Sequence, residues 1–154
     1  MKILQKICFI LLLTMFLSSC SSITQVYSGD CFKDKDFDNC MVLAKQNNVF
    51  AQYNLGVMYE KGLGAPQDYK ESVKWFRLAA EQGYSDAQYN LGAMYYNGQG
   101  VPKDYVMAHM YWNIASLSGD TDAIYNRRIV EKKMTSSQLA ESQDLAREWM
   151  RTHQ

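Results

Sequence analysis

The sequence predicts an all-α solenoid of antiparallel helix pairs, and three observations carry that prediction. The hexapeptide AQYNLG at Ala51–Gly56 returns unchanged at Ala87–Gly92, and a decayed copy, AIYN, begins at Ala123. Both steps are 36 residues, inside the range of about 20–50 that marks stacked-repeat architectures. Within each period apolar residues recur at three- and four-residue steps, the spacing of one helix face. Each period is also divided by a Gly- and Pro-containing turn, GLGAPQD and then GQGVPKD, so that it holds two helices. Hydrophobic residues make up 47% of the 154 and aromatics 13%, enough for a packed core and against global disorder.

The N-terminus reads as an address. Lys2 and Lys6 flank the start of an 11-residue apolar run, Ile7–Leu17, broken only by Thr14. A helix crossing the hydrocarbon core needs about 20 such residues, so the run reads as the h-region of a secretory signal. Leu17-Ser18-Ser19-Cys20 follows it and resembles the bacterial lipobox. The resemblance implies that residues 1–19 are a lipoprotein signal peptide and that Cys20 is the lipidation site. Several acyl chains are needed there, because each buried CH2 contributes about 0.8 kcal/mol and a single chain anchors only marginally. Ser21, rather than Asp, resembles the pattern of lipoproteins sent to the outer membrane. The expected localisation is therefore the cell envelope, lipid-anchored at the periplasmic face of the outer membrane. The alternative is an ordinary signal peptide with Cys20 as a plain thiol.

Residues 20–33 are small and polar and read as a tether. Residues 34–50 read as a partial leading repeat, with Phe37, Cys40, Met41, Leu43 and Ala44 on helical spacing and Ala44 falling one period before Ala80. Cys31 and Cys40 are the thiols remaining after Cys20. On one continuous helix nine residues would set them on opposite sides, about 13.5 Å apart, too far for a bridge. A disulfide requires Cys31 to precede the helix, which Gly29-Asp30 permits, and an oxidising periplasm favours it. A buried Cys40 with Cys31 free is the other reading, and the sequence leaves both open.

Repeat one spans 51–86 and repeat two 87–122. First helices are expected over about Ala51–Lys61, Asp86–Tyr96 and Asp122–Lys133, and second helices over about Tyr69–Gln82 and Tyr105–Ser118. Asp68 with Glu71, and Ser85 with Gln88, have capping-box spacing. Leu55, Tyr59, Leu91 and Tyr95 supply apolar area. Gly56 and Gly92 cost about 1 kcal/mol each against Ala inside a helix, which predicts a partner side chain packed directly on them. The second helices answer with Tyr69, Ser72, Phe76, Ala79 and with Tyr105, Ala108, Trp112, Ala115 on one face. The glycine-rich turns lack the Lys-Ser/Thr ending of a phosphate loop and follow a helix, so they read as connectors.

With these residues in view, AQYNLGVMYEKGLGAPQDYKESVKWFRLAAEQGYSD resembles the Sel-like repeat, a relative of the tetratricopeptide repeat. The resemblance implies a right-handed α-α superhelix that acts mainly as a protein-interaction scaffold. It covers two full copies, 51–122, and extends weakly on either side. Residues 123–154 read as a degenerate repeat and a C-terminal capping helix. Leu91 and Gly92 are replaced by Arg127 and Arg128, so a further helix cannot pack in the same way. A polar terminal cap is what a solenoid needs. Thr135 and Gln138 form another capping box, opening a helix with Leu139, Ser142, Leu145, Ala146 and Trp149 on one stripe. A membrane-surface helix is the alternative, disfavoured by the narrow stripe and mixed opposite face.

Chemistry is sparse. No S-x-x-K, G-x-S-x-G or H-E-x-x-H occurs, no catalytic residue is assigned, and His109 is expected to be a half-buried packing residue. Two histidines and four scattered cysteines argue against a metal site, and no cofactor is expected. Without the first 19 residues the chain carries 14 basic and 16 acidic side chains, leaving no basic excess for nucleic acid. Tyr53, Asn54, Tyr89, Asn90, Tyr125 and Asn126 recur in the repeat and are the candidate partner-binding residues, as rigid aromatics beside amides suit an extended peptide. Their alternative role is packing between repeats. Val106, Met107 and Met110 replace Lys70, Glu71 and Lys74, and are expected to lie under the C-terminal helix. The expected function is a monomeric, non-enzymatic scaffold binding a protein or peptide partner in the envelope. Two alternatives are a hydrolase acting on β-lactam or peptidoglycan substrates and a structural lipoprotein with no specific partner.

Overall fold

The computed structural model describes Cys31 and residues 36–153; Cys20, the expected signal peptide and most of the tether lie outside them. Seven α-helices and no strand occur among the described residues: α1 Phe37–Lys45, α2 Val49–Lys61, α3 Tyr69–Glu81, α4 Ser85–Asn97, α5 Tyr105–Ala115, α6 Thr121–Glu131 and α7 Ser136–Thr152. A short 3-10 turn, Ser116–Ser118, extends α5. None of the described helices is long and apolar enough to cross a membrane.

Local chemistry sets the starts. Asp36, Asn48, Asp68, Asp104 and Asp120 each accept backbone N–H bonds from the first turn that follows. Each such cap satisfies donors the helix cannot pair itself. Thr135 and Gln138 form the complete reciprocal box. The expected box at Ser85 does not form. Tyr84 is the N-cap, Ser85 is already helical, and the buried Gln88 amide donates instead to Ala80 O at 3.3 Å. At Asp68 only half of the box appears, because the Glu71 carboxylate pairs with Lys74.

Packing follows the period. A Cβ on Gly56 would stand 2.4 Å from the Phe76 ring, and one on Gly92 2.6 Å from Trp112. The missing side chain thus lets a large ring lie flat against the backbone of the neighbouring helix. Ser72 donates to Gly56 O at 2.8 Å and Trp112 Nε1 to Tyr89 O at 3.1 Å, fixing the same α2–α3 and α4–α5 crossings. Consecutive helices pack antiparallel through α5, and buried Val57, Phe76, Leu91, Met94 and Ile114 run through the centre. Gln52 repeats the role of Gln88, donating to Ala44 O at 3.3 Å and tying each first helix to the end of the helix before it.

The turns also touch their neighbours. Gly64 and Gly100 have positive φ, and added Cβ atoms would lie 2.8 Å from Phe37 Cβ and 2.2 Å from Tyr69 O. At the N-terminal end Cys31 precedes α1 and is joined to Cys40 by a disulfide. At the other end α7 packs chiefly on α5 rather than pairing with α6. Met110 is buried in one cluster with Ala146 of this helix, Met107 is partly covered against the same cluster, and Val106 is buried. The expected stripe of α7 needs one correction: Ser142 and Ala146 are fully buried, but Leu145 is 38% exposed. The smallest side chains of the stripe make the closest approach, which rotates Leu145 outward.

Candidate functional site

The candidate residues Tyr53, Asn54, Tyr89, Asn90, Tyr125 and Asn126 sit on the first helices α2, α4 and α6. Tyr89 Oη accepts from Asn126 Nδ2 at 3.1 Å, and the Tyr53 hydroxyl is hydrogen-bonded to the Asn90 side chain. The tyrosine of one copy thus meets the asparagine of the next. Tyr53 also packs edge-on against Tyr84 at 5.0 Å and lies 5.7 Å from Phe76. Burial, reinforced by Asp86, pushes its phenol pKa up. Asn54 Nδ2 makes a long contact of 3.8 Å with Cys31 Sγ. Tyr125 is 65% exposed and stands apart from this pattern.

Two open pockets lie along this row. The first, of about 310 Å³, is lined by Tyr53, Asn54, Val57, Glu60, Lys61 and Asn90. The second, of about 320 Å³, is lined by Ala93, Tyr96, Asn97, Trp112, Asn126 and Ile129. Four positions correspond one period apart: Val57 with Ala93, Glu60 with Tyr96, Lys61 with Asn97, and Asn90 with Asn126. Their chemistry differs. Burial raises the Glu60 carboxyl pKa, with Lys61 opposing it, whereas the lining of the second pocket holds no carboxylate and no basic side chain. Glu60, Lys61, Tyr96 and Asn97 were not among the sequence candidates. Spacing offered a signal, since they follow Tyr53 and Tyr89 by seven and eight residues and so share their helix face.

His109 departs from expectation. It is 1% exposed rather than half-buried, with Nε2 3.1 Å from Glu131 Oε1 and Nδ1 2.8 Å from Ser142 Oγ. It thereby joins α5, α6 and α7. Burial is the main influence and lowers its pKa; Glu131 opposes this and Arg127 adds to it. A serine, a histidine and a carboxylate stand in line here. Ser142 is nevertheless wholly buried and lies 2.8 Å from Leu139 O, so no substrate reaches it while α7 is seated. Arg127, in place of the repeat leucine, donates to Asn113 Oδ1 at 2.7 Å.

A family model described as the Sel1 repeat matches residues 49–84 and 85–120. The two matches are contiguous and together span 72 of the 154 residues, so this stretch is similar to two Sel1 repeats in tandem. The matched segments begin two residues before each AQYNLG motif, near the helix starts at Val49 and Ser85. Among solved structures, the chain is similar to c5321, a protective antigen present in uropathogenic Escherichia coli strains and displaying an SLR fold. Identity is 36% and the TM-score 0.72, over 76% of this chain and 25% of that one. A Sel1 repeat protein from Oxalobacter formigenes is 30% identical with a TM-score of 0.61, over 67% of this chain and 46% of that one. A putative sel1-like repeat-containing protein, L18, of Acanthamoeba polyphaga mimivirus is 36% identical over 45 residues, 29% of this chain and 8% of its own length. The chain thus spans a quarter of c5321 and under half of the Oxalobacter protein. Sel1 repeats generally mediate protein–protein interaction and are generally non-catalytic scaffolds.

Proposed function

We propose that this chain is a non-enzymatic, monomeric scaffold of the bacterial cell envelope, held to the outer membrane by lipid on Cys20. Its first-helix row binds a segment of a protein partner. The observation that carries the reading is the pair of open pockets, recurring one period apart on α2 and α4–α6. Evenly spaced pockets on a rigid stack suit an extended chain, whose side chains are then read at fixed intervals. The inter-repeat bonds of Tyr53 and Tyr89 support this by holding the pocket walls rigid, which limits the entropy lost on binding.

The test places a photo-crosslinking amino acid at Lys61 or Asn97 in intact cells, with Arg147 on α7 as the control position. A discrete adduct from both pocket positions and none from Arg147 is expected. No adduct, or the same adducts from all three, sinks the scaffold reading. Anchoring is tested separately by labelling with a clickable palmitate, where Cys20→Ala must abolish a label that the wild type takes up. Nitrocefin turnover and muropeptide release should both be blank.

A further inference from the structure

Resting on the peptide-binding reading, we infer that the two pockets read different side chains: a basic residue in the first and an aromatic or aliphatic one in the second. The partner is therefore an extended peptide segment that pairs a lysine or arginine with an apolar residue at a fixed separation.

Glu60 supplies the first half of the argument. Its carboxyl is half-buried at the pocket wall, and among the described residues no basic side chain lies within ion-pair distance of it. Removing a carboxylate from water without a counter-charge is unfavourable, so this wall is completed by an incoming cation. Around it stand Tyr53 and Asn90, a hydroxyl and an amide able to take the remaining donors of an ammonium or guanidinium group. Lys61 lies at the same lip and is exposed, so its flexible stem is free to turn away from an entering charge.

The second pocket replaces this chemistry position by position. Tyr96 stands one period after Glu60, with its ring centroid 5.6 Å from that of Trp112, and Ala93 and Ile129 complete an apolar lining. A cation is already in place beside it, because Lys133 Nζ lies 4.8 Å from the Tyr96 ring centroid. A second positive charge would be repelled there, whereas an uncharged aromatic or branched side chain buries its surface against the two rings. Asn97 and Asn126 remain at the edge to bond the peptide backbone.

The experiment pans a random-peptide phage library on the full chain, on Glu60→Gln and on Tyr96→Glu, with circular dichroism and melting to confirm that each variant is folded. Wild type is expected to enrich peptides pairing Lys or Arg with Phe, Trp, Leu or Ile at one spacing. Glu60→Gln should lose the basic preference, keep the apolar one, and weaken a selected synthetic peptide about tenfold, as loss of one charge-assisted hydrogen bond implies. Tyr96→Glu should bring a second basic residue into the motif. Selected peptides that neither variant alters, or that favour acidic residues, overturn this inference and leave the scaffold reading standing. Enrichment of no peptide by wild type overturns both.

Discussion

In the first repeat the ring over the helix glycine is Phe76; in the second it is Trp112, which also donates to the backbone at Tyr89. Both repeats place an aspartate at the start of the outer helix, Asp68 and Asp104, each accepting two backbone N–H bonds. The inner plan is therefore shared. The outer faces diverge: Lys70 and Lys74 are exposed and Glu71 is partly so, while Val106 is buried and Met110 and Met107 pack in one cluster with Ala146 and Trp149 of α7. Val73 becomes His109, bonded to α6 and α7 together. The comparison teaches that the second repeat departs from the first where α5 changes its surface to receive α7.

Removing the cap breaks the comparison most severely. Deleting 135–154 bares Met107 and Met110 together, and exposed apolar surface of that kind promotes association. Size-exclusion chromatography should show aggregates and the melting temperature should fall; an unchanged monomer with unchanged melting refutes the capping role. Next come the glycines. Gly56→Ala and Gly92→Ala each push a methyl group into an aromatic ring, and overpacking of this sort costs about 1–3 kcal/mol. Urea unfolding of both variants measures whether the Phe and Trp versions of the contact are equally tight. A change below about 0.5 kcal/mol in either would fall within the range of ordinary surface substitutions and show that the ring relaxes freely.

Much of this plan was legible in the chain because it is local or periodic. The glycine-on-ring contacts and the aspartate caps of α3 and α5 follow from one 36-residue phase applied twice, and the covering of Met110 from the apolar residues that replace charged ones in the second copy. What escaped was the set of bonds that cross between copies. Gln88 has capping-box spacing from Ser85 and Gln52 carries no such signal, yet each is buried on the carbonyl of a preceding helix. The pairing of Tyr89 with Asn126 spans 37 residues, one more than the period, so a repeat-by-repeat reading aligned the two residues without joining them. His109 was underestimated because its partners lie on helices that follow only after a break in the pattern.

Two finer measurements sharpen the same contrast. Asp68→Ala and Asp104→Ala should each cost about 1 kcal/mol, the usual loss for an N-cap, and similar values would confirm that the shared plan is energetically shared. A clear excess at Asp104 would mean that the cap helix leans on that helix start. The smallest effect is one of slope. The folded His109 has a lowered pKa, so the unfolded chain, with a pKa of about 6.5, binds the proton more readily. Stability from this site is complete above that value and is lost as pH falls below it. Melting between pH 7 and pH 5 should therefore decline more steeply in wild type than in His109→Val, which restores the residue type of the first repeat. Parallel curves would remove His109 as the cause.

The contacts of Gly64 and Gly100 bear on how such a chain can evolve. Surface connectors ordinarily drift in length with little consequence. Here the bend at Gly100 rests on the backbone at Tyr69, and the bend at Gly64 rests on Phe37, each the first residue of an earlier outer helix. An inserted residue would lift the bend off its seat and put the next helix out of phase. The connector works as a gauge: it keeps every copy at the same length, so that new specificity is gained by exchanging side chains and by adding or losing whole units.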